Sequence, residues 1–260
     1  MFRNKSNMVK PFYYYIFLLF VLTSCLTDKK QNLTIAAAAN TQYAMGEIKE
    51  SFEQETGQPV TLIFGSSGKL TAQIVESAPY DIFISADMKY PQSLFEKGLA
   101  LEAPGIYAKG ALVLWTFDPE LYPDLEVLRS EKVKKIAMAN PQTAPYGVAS
   151  EEVLRNAGLY EKLVSKLVFG ESIAQTNQYL STQAAEIGFT AKSVVLSKEM
   201  EGKGRWLDID PGHYSAIEQG AVILKVSEQR NAALARQFYD FLFSEQAQEI
   251  FKKYGYLVPK

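Results

Sequence analysis

The chain alternates short apolar runs with amphipathic stretches, and that alternation constrains its fold more than any other feature. Residues 33–39, LTIAAAA, suit a buried strand and are too short for a buried helix. The next stretch repeats Ala44, Ile48 and Phe52 at intervals of four and stops at Gly57. That spacing predicts a helix with one apolar face and a glycine at its C-terminal end. PVTLIFG (59–65) predicts a second strand, GKLTAQIVESA (68–78) a helix, and DIFISA (81–86) a third strand. The result is a βαβαβ unit with right-handed crossovers, so the class is α/β. Further strands are predicted at 111–116, 135–140, 166–170, 186–191 and 220–226. Further helices are predicted at 148–156, 172–181 and 231–243, with a closing one over 244–255.

Two blocks of strand–helix alternation imply two lobes. The first is complete by about residue 109, and the second runs from 111 to about 216. The C-terminal helices have no strands of their own, so they return to the first lobe. The expected division is 33–109 plus 222–260 for lobe one and 110–221 for lobe two.

Composition narrows the function classes. The 260 residues are 47% hydrophobic and 22% charged, which excludes collagen, long disorder and a polytopic membrane protein. The net charge is -2, without the basic excess of a nucleic-acid binder. Cys25 and His213 are the only residues of their types, which argues against zinc sites, disulfide frameworks and Cys–His catalysis.

Residues 1–24 read as an export signal. Arg3, Lys5 and Lys10 precede the apolar run FYYYIFLLFVL, which is shorter than the roughly 20 residues a membrane-spanning helix needs. Leu22-Thr23-Ser24-Cys25 resembles the bacterial lipobox, which makes Cys25 the lipidated N-terminus and 25–32 a tether. The expected location is the outer face of a bacterial membrane, anchored by acyl chains.

The ends of the strands carry the candidate chemistry. Asn40-Thr41 follows the first strand and Ser66-Ser67-Gly68 the second. Thr143 to Gly147 follow the strand at 135–140, and Glu171-Ser172-Ile173 the one at 166–170. In open α/β sheets ligands lie outside the carboxyl ends of strands, where helix N-termini offer unpaired N–H groups to anions. Asn40, Ser66, Ser67 and Ser172 add neutral donors there, and Lys69 is the one cation. Each of these residues is also an ordinary helix cap, the more common role for any single position. Tyr146, between Pro145 and Gly147, is expected to be partly exposed.

Rival motifs are weaker. GSSGK lacks the four-residue spacing of a P-loop, and Leu70 stands where that motif has Ser or Thr. Ser66-x-x-Lys69 matches one element of the penicillin-binding enzymes, without the other two. A surface serine hydrolase using Ser66 and Lys69 stays open as an alternative. His213 sits in a turn-like DPGHYS, and no Gly-x-Ser-x-Gly accompanies it. Asp81 and Asp87 flank the third strand, with capping the blander role.

LTIAAAANTQYAM, FGSSGKLTAQI, APYDIFISAD, YAKGALVLW, NPQTAPYGVAS and EIFKKYGY together resemble the periplasmic molybdate-binding protein family of ABC transporters. The resemblance runs from about Leu33 to the C-terminus. It implies a two-lobed type II periplasmic binding protein, each lobe a doubly wound mixed sheet flanked by helices, with hinge segments near 107–113 and 216–222. It implies a binding protein that is not an enzyme, has no cofactor and delivers molybdate, with tungstate as its equal, to a permease. A monomer is expected.

By motif the resemblance implies Asn40, preceded by Ala39, and Ser67, neighboured by Ser66. It adds the backbone N–H groups of Tyr146 and Ile173. The metal would be held only as its oxyanion. Family members with Ser in place of Asn40 carry a Tyr near Ala191. Here the Asn40 amide and the Tyr146 hydroxyl are expected to replace those donors. Another oxyanion such as sulfate is the alternative ligand.

Overall fold

The computed structural model describes residues 1–2 and 32–259, so Cys25, the leader and most of the tether lie outside the described residues. The folded part holds two five-stranded mixed sheets. The first has the order β2-β1-β3-β10-β4, from β1 (Leu33–Ala38), β2 (Val60–Gly65), β3 (Ile82–Ile84), β4 (Gly105–Gly110) and β10 (Ile217–Ile223). The second has the order β7-β6-β8-β5-β9, from β5 (Leu112–Thr116), β6 (Ile136–Ala139), β7 (Leu167–Gly170), β8 (Ile187–Ala191) and β9 (Arg205–Asp208).

Helices cover both faces of the first sheet. They are α1 (Gln42–Thr56), α2 (Ser67–Val75) and α3 (Lys89–Glu96) near its start, and α8 (Ala232–Leu242) and α9 (Glu245–Lys253) at the C-terminus. Strand alternation sorts the side chains. Ile35, Ile82, Ile84, Ala221 and Ile223 meet α1, α8 and α9. Ala36, Phe83 and Val222 meet Leu70 and Ile74 of α2 and Leu94 of α3. A strand buried on both faces must be apolar throughout, which is why β1 and β3 read as unbroken apolar runs.

α1 carries the predicted stripe, with Ala44, Ile48 and Phe52 buried. Gly57 ends it at φ 65°, in the left-handed region where a Cβ is costly. The second sheet is flanked by α4 (Pro145–Asn156), α5 (Tyr160–Leu163), α6 (Ile173–Ser181) and α7 (Lys192–Val195). Among the described residues no helix is long and apolar enough to cross a membrane.

The chain crosses between the sheets twice. The outward crossing is at Ala111, between β4 and β5. The return lies before Ile217, because β10 pairs antiparallel with both β3 and β4. The boundary expected at 221/222 therefore falls inside β10. Its early half was unreadable because Glu218 and Gln219 are polar, yet Gln219 is fully buried. Strands β4 and β9 also went unpredicted. β4 begins and ends with glycine and contains Lys109, while β9 is an exposed edge strand, RWLD.

The first-lobe core is anchored by Phe52, whose ring meets Phe238 edge-on at 4.9 Å and Phe241 at 5.5 Å. Phe52→Ala should cost about 3–5 kcal/mol. A urea titration should show a lower midpoint with an unchanged slope.

Candidate anion-binding site

β1, β2 and β3 run parallel, so their carboxyl ends emerge together, as do those of β6, β7 and β8. The two sets of loops enclose a small cavity. It is lined by Ala38, Ala39 and Asn40 at the end of β1, by Gly65, Ser66 and Ser67 at the end of β2, and by Ala86 after β3. Ala144, Pro145 and Tyr146 follow β6, and Ile173 follows β7. All six residues singled out from the sequence, Ala39, Asn40, Ser66, Ser67, Tyr146 and Ile173, thus share one wall. Among the described residues no Lys, Arg, Asp, Glu or His lines it.

Three helices start at this cavity: α2 at Ser67, α4 at Pro145-Tyr146 and α6 at Ile173. The first N–H groups of a helix have no acceptor within it. Among the described residues no protein acceptor meets the N–H of Ser67, Tyr146 or Ile173. Neither α4 nor α6 has a side-chain cap at its N-terminus. Capping, the commoner role, holds for Ser66 alone: its Oγ accepts from Lys69 N at 3.4 Å. Ser172 and Asn40 do not cap. The Ser67 hydroxyl accepts from Ala86 N at 3.0 Å, which leaves its hydrogen for the cavity. Converging N–H and O–H donors with no carboxylate among them make a seat for an anion that brings its own charge.

The Asn40 side chain is already committed. Its Nδ2 donates to Gln219 Oε1 at 3.0 Å and to the Tyr256 hydroxyl at 3.1 Å. The main-chain carbonyl of Asn40 accepts from Ser193 Oγ at 2.7 Å and from the Tyr256 hydroxyl at 2.9 Å. Tyr146 is 1% exposed, not partly exposed as its neighbours suggested. Its hydroxyl accepts from Gln219 Nε2 at 3.3 Å. Gln219 Oε1 also accepts from the Tyr107 hydroxyl at 2.7 Å. The Asn40 amide hydrogens thus serve the scaffold behind the cavity, and the Tyr146 hydroxyl is a partner of the same Gln219 amide.

Gln219 is the residue sequence reasoning missed. It sits on β10 at a bulge and reaches Asn40 and Tyr107 in the first lobe and Tyr146 in the second. Tyr256 is held beneath it because Leu257 pairs with Lys109 beside β4. A glutamine or tyrosine of this kind carries no local sequence signal; only its burial and its three partners reveal it.

The remaining candidates fall elsewhere. Asp81 and Asp87 stand at opposite ends of β3. Asp81 accepts from Thr34 N and Asn231 Nδ2, and Asp87 from Ser85 Oγ and Tyr90 N. They are structural, not an acid–base pair. His213 lies in a 3-10 turn, its carbonyl accepts from Asn156 Nδ2, and it is not among the residues that line the cavity. Among the described residues no cluster of His, Cys, Asp or Glu could hold a metal ion.

The fold and this site find counterparts among known proteins. Residues 33–257 match the family model of the bacterial extracellular solute-binding protein. The chain belongs to that family. The molybdate-binding protein ModA of Rhodobacter capsulatus is 40% identical over 223 residues, 85% of this chain and 86% of the relative. The Bacillus subtilis protein YvgL, a putative ABC transporter substrate-binding lipoprotein, is 29% identical over 234 residues, 88% of each chain. The structure of the Azotobacter vinelandii periplasmic molybdate-binding protein superposes on this solute-binding protein with a TM-score of 0.83. It is 35% identical and covers 88% of this chain and 100% of that one.

Burial raises the pKa of Tyr107, Tyr146 and Tyr256 above the ordinary phenol value of 10.0. The folded chain then keeps protons that the unfolded chain releases, so stability is fully present below pH 10 and falls as pH rises beyond it. Urea midpoints measured from pH about 9 to about 11.5 should decline. Tyr107→Phe should flatten the decline.

Proposed function

We propose that this solute-binding protein captures molybdate, and tungstate equally, and hands it to an ABC permease. One observation carries the reading: three helix starts, whose Ser67, Tyr146 and Ile173 N–H groups meet no protein acceptor among the described residues, and the Ser67 hydroxyl converge on a cavity that no described cationic side chain lines. Such a seat suits a tetrahedral dianion that needs neither a counter-charge nor an acceptor. Phosphate is partly protonated near neutral pH, and its proton would find no acceptor among these donors. Sulfate has shorter bonds to oxygen, so a fixed ring of donors leaves it under-contacted. Each stretched or lost hydrogen bond to a charged group costs roughly 1.5–3 kcal/mol. Two such losses amount to about a hundredfold or more in affinity. The likeness to the Rhodobacter and Azotobacter molybdate-binding proteins supports the same ligand.

Asn40, Ala39 and Ser66 shape the wall, while Ser67, Tyr146 and Ile173 donate, the last two through backbone N–H groups. The ion carries its metal within the oxyanion, so no protein side chain ligates molybdenum. Cys25 anchors the chain by acylation on the outer side of a bacterial membrane, a reading that its leader and the lipoprotein among its relatives support. The protein acts as a monomer and catalyses nothing. Ser66, the hydroxyl a hydrolase would need, donates to Glu171 Oε1 at 2.9 Å, and Lys69 lies 3.5 Å from the same carboxylate.

Thermal unfolding with each anion in turn tests the ligand. Molybdate or tungstate at 1,000 times its dissociation constant should add about 4 kcal/mol of stability. Sulfate and phosphate should add little, and no shift with molybdate would overturn the reading. Ser67→Ala should weaken molybdate binding by about tenfold or more, read by calorimetry.

A further inference from the structure

We propose that Glu171 of the second lobe and the Ser66-x-x-Lys69 pair of the first form a clasp across the cleft mouth, one that holds the closed state and slows release of the anion. Ser66 and Lys69 lie three apart at the first turn of α2, so both face the same way. Glu171 follows β7. Its Oε1 accepts from Ser66 Oγ at 2.9 Å, and its Oε2 lies 3.5 Å from Lys69 Nζ. Between these contacts Gly68 N donates to Thr143 O at 2.9 Å, joining the backbones of the two lobes. A Cβ at Gly68 would come within 3.0 Å of Thr143, so this close approach needs glycine.

The clasp and the cavity share two short segments. Ser66 and Ser67 are adjacent on one side, and Glu171 and Ile173 nearly so on the other. The closure that brings the Ser67 and Ile173 donors together is the same closure that seats Glu171 on Ser66 and Lys69. The contact joins the two lobes, so it favours the state in which they lie together. It also explains the one cation among the strand ends. Lys69 does not line the cavity. It balances a carboxylate that would otherwise repel a dianion a few residues away. A half-exposed pair supports a modest effect, and the Ser66 O–H bond to a carboxylate adds to it.

The effect on the anion rests on the binding reading above, but the clasp itself does not. Amide hydrogen exchange of the ligand-free protein therefore tests it. Glu171→Ala should speed exchange in segments 66–70 and 142–146 about three- to fivefold, the range an exposed pair supports, with the sheets unchanged. Lys69→Glu and Glu171→Lys should each do the same, and the two combined should restore protection. With molybdate bound, Glu171→Ala should raise the dissociation rate by a similar factor. Unchanged exchange in Glu171→Ala, or no recovery in the charge swap, would overturn the clasp. If molybdate fails to protect the wild-type segments while Glu171→Ala still speeds exchange, the ligand reading falls and the clasp stands.

Discussion

Helix N–H groups buried without a partner are costly, and this structure brings three helix starts together around one small space. Much of the architecture follows from that constraint. Parallel strands within each sheet bring the starts of α2, α4 and α6 to that one space. Small residues, Ala38, Ala39, Gly65, Ala86 and Ala144, keep the wall thin enough for backbone to reach the cavity. Charged side chains stay off it. An anion seated there, as proposed, would supply what the fold withholds and would link the lobes by contacting both.

Behind that space a buried polar network fixes the geometry. Gln219 joins Asn40, Tyr107 and Tyr146, and Tyr256 closes the ring onto Asn40. Every member is neutral, and burial keeps the phenols so. A neutral scaffold leaves the field of the helix ends undisturbed, whereas a buried charge would compete with the ligand. The network also spans both crossings, because Gln219 is on β10 and Tyr107 on β4 while Tyr146 belongs to the second lobe.

The sequence was most legible where burial is complete. β1, β3, the stripe of α1 and the Gly57 stop could be read because apolar periodicity follows directly from packing. The cavity wall was legible too, since Asn40, Ser67, Tyr146 and Ile173 each follow a strand. Legibility failed where a polar residue is buried by long-range partners. Gln219 lay just outside the strand predicted at 220–226, and its bonds to Asn40 and Tyr107 span 179 and 112 residues. Tyr146 looked partly exposed because Pro and Gly flank it, yet it is buried against Gln219 of the opposite lobe. Lys69 stood out as the one cation among the strand ends, and its partner Glu171 is 102 residues away.

The position of β10 carries a last consequence. It lies between β3 and β4, yet the entire second sheet separates it from β4 in the chain. The first sheet stays split until that late strand arrives, and its insertion bears the loop-closure entropy of everything in between. A chain threaded outward from its N-terminus would complete the lobe it began first only after finishing the other. Premature edges at β3 and β4 are exposed during that interval, the kind of surface that pairs with neighbouring chains. Assembly order, as much as the finished geometry, is therefore written into where one seven-residue strand falls.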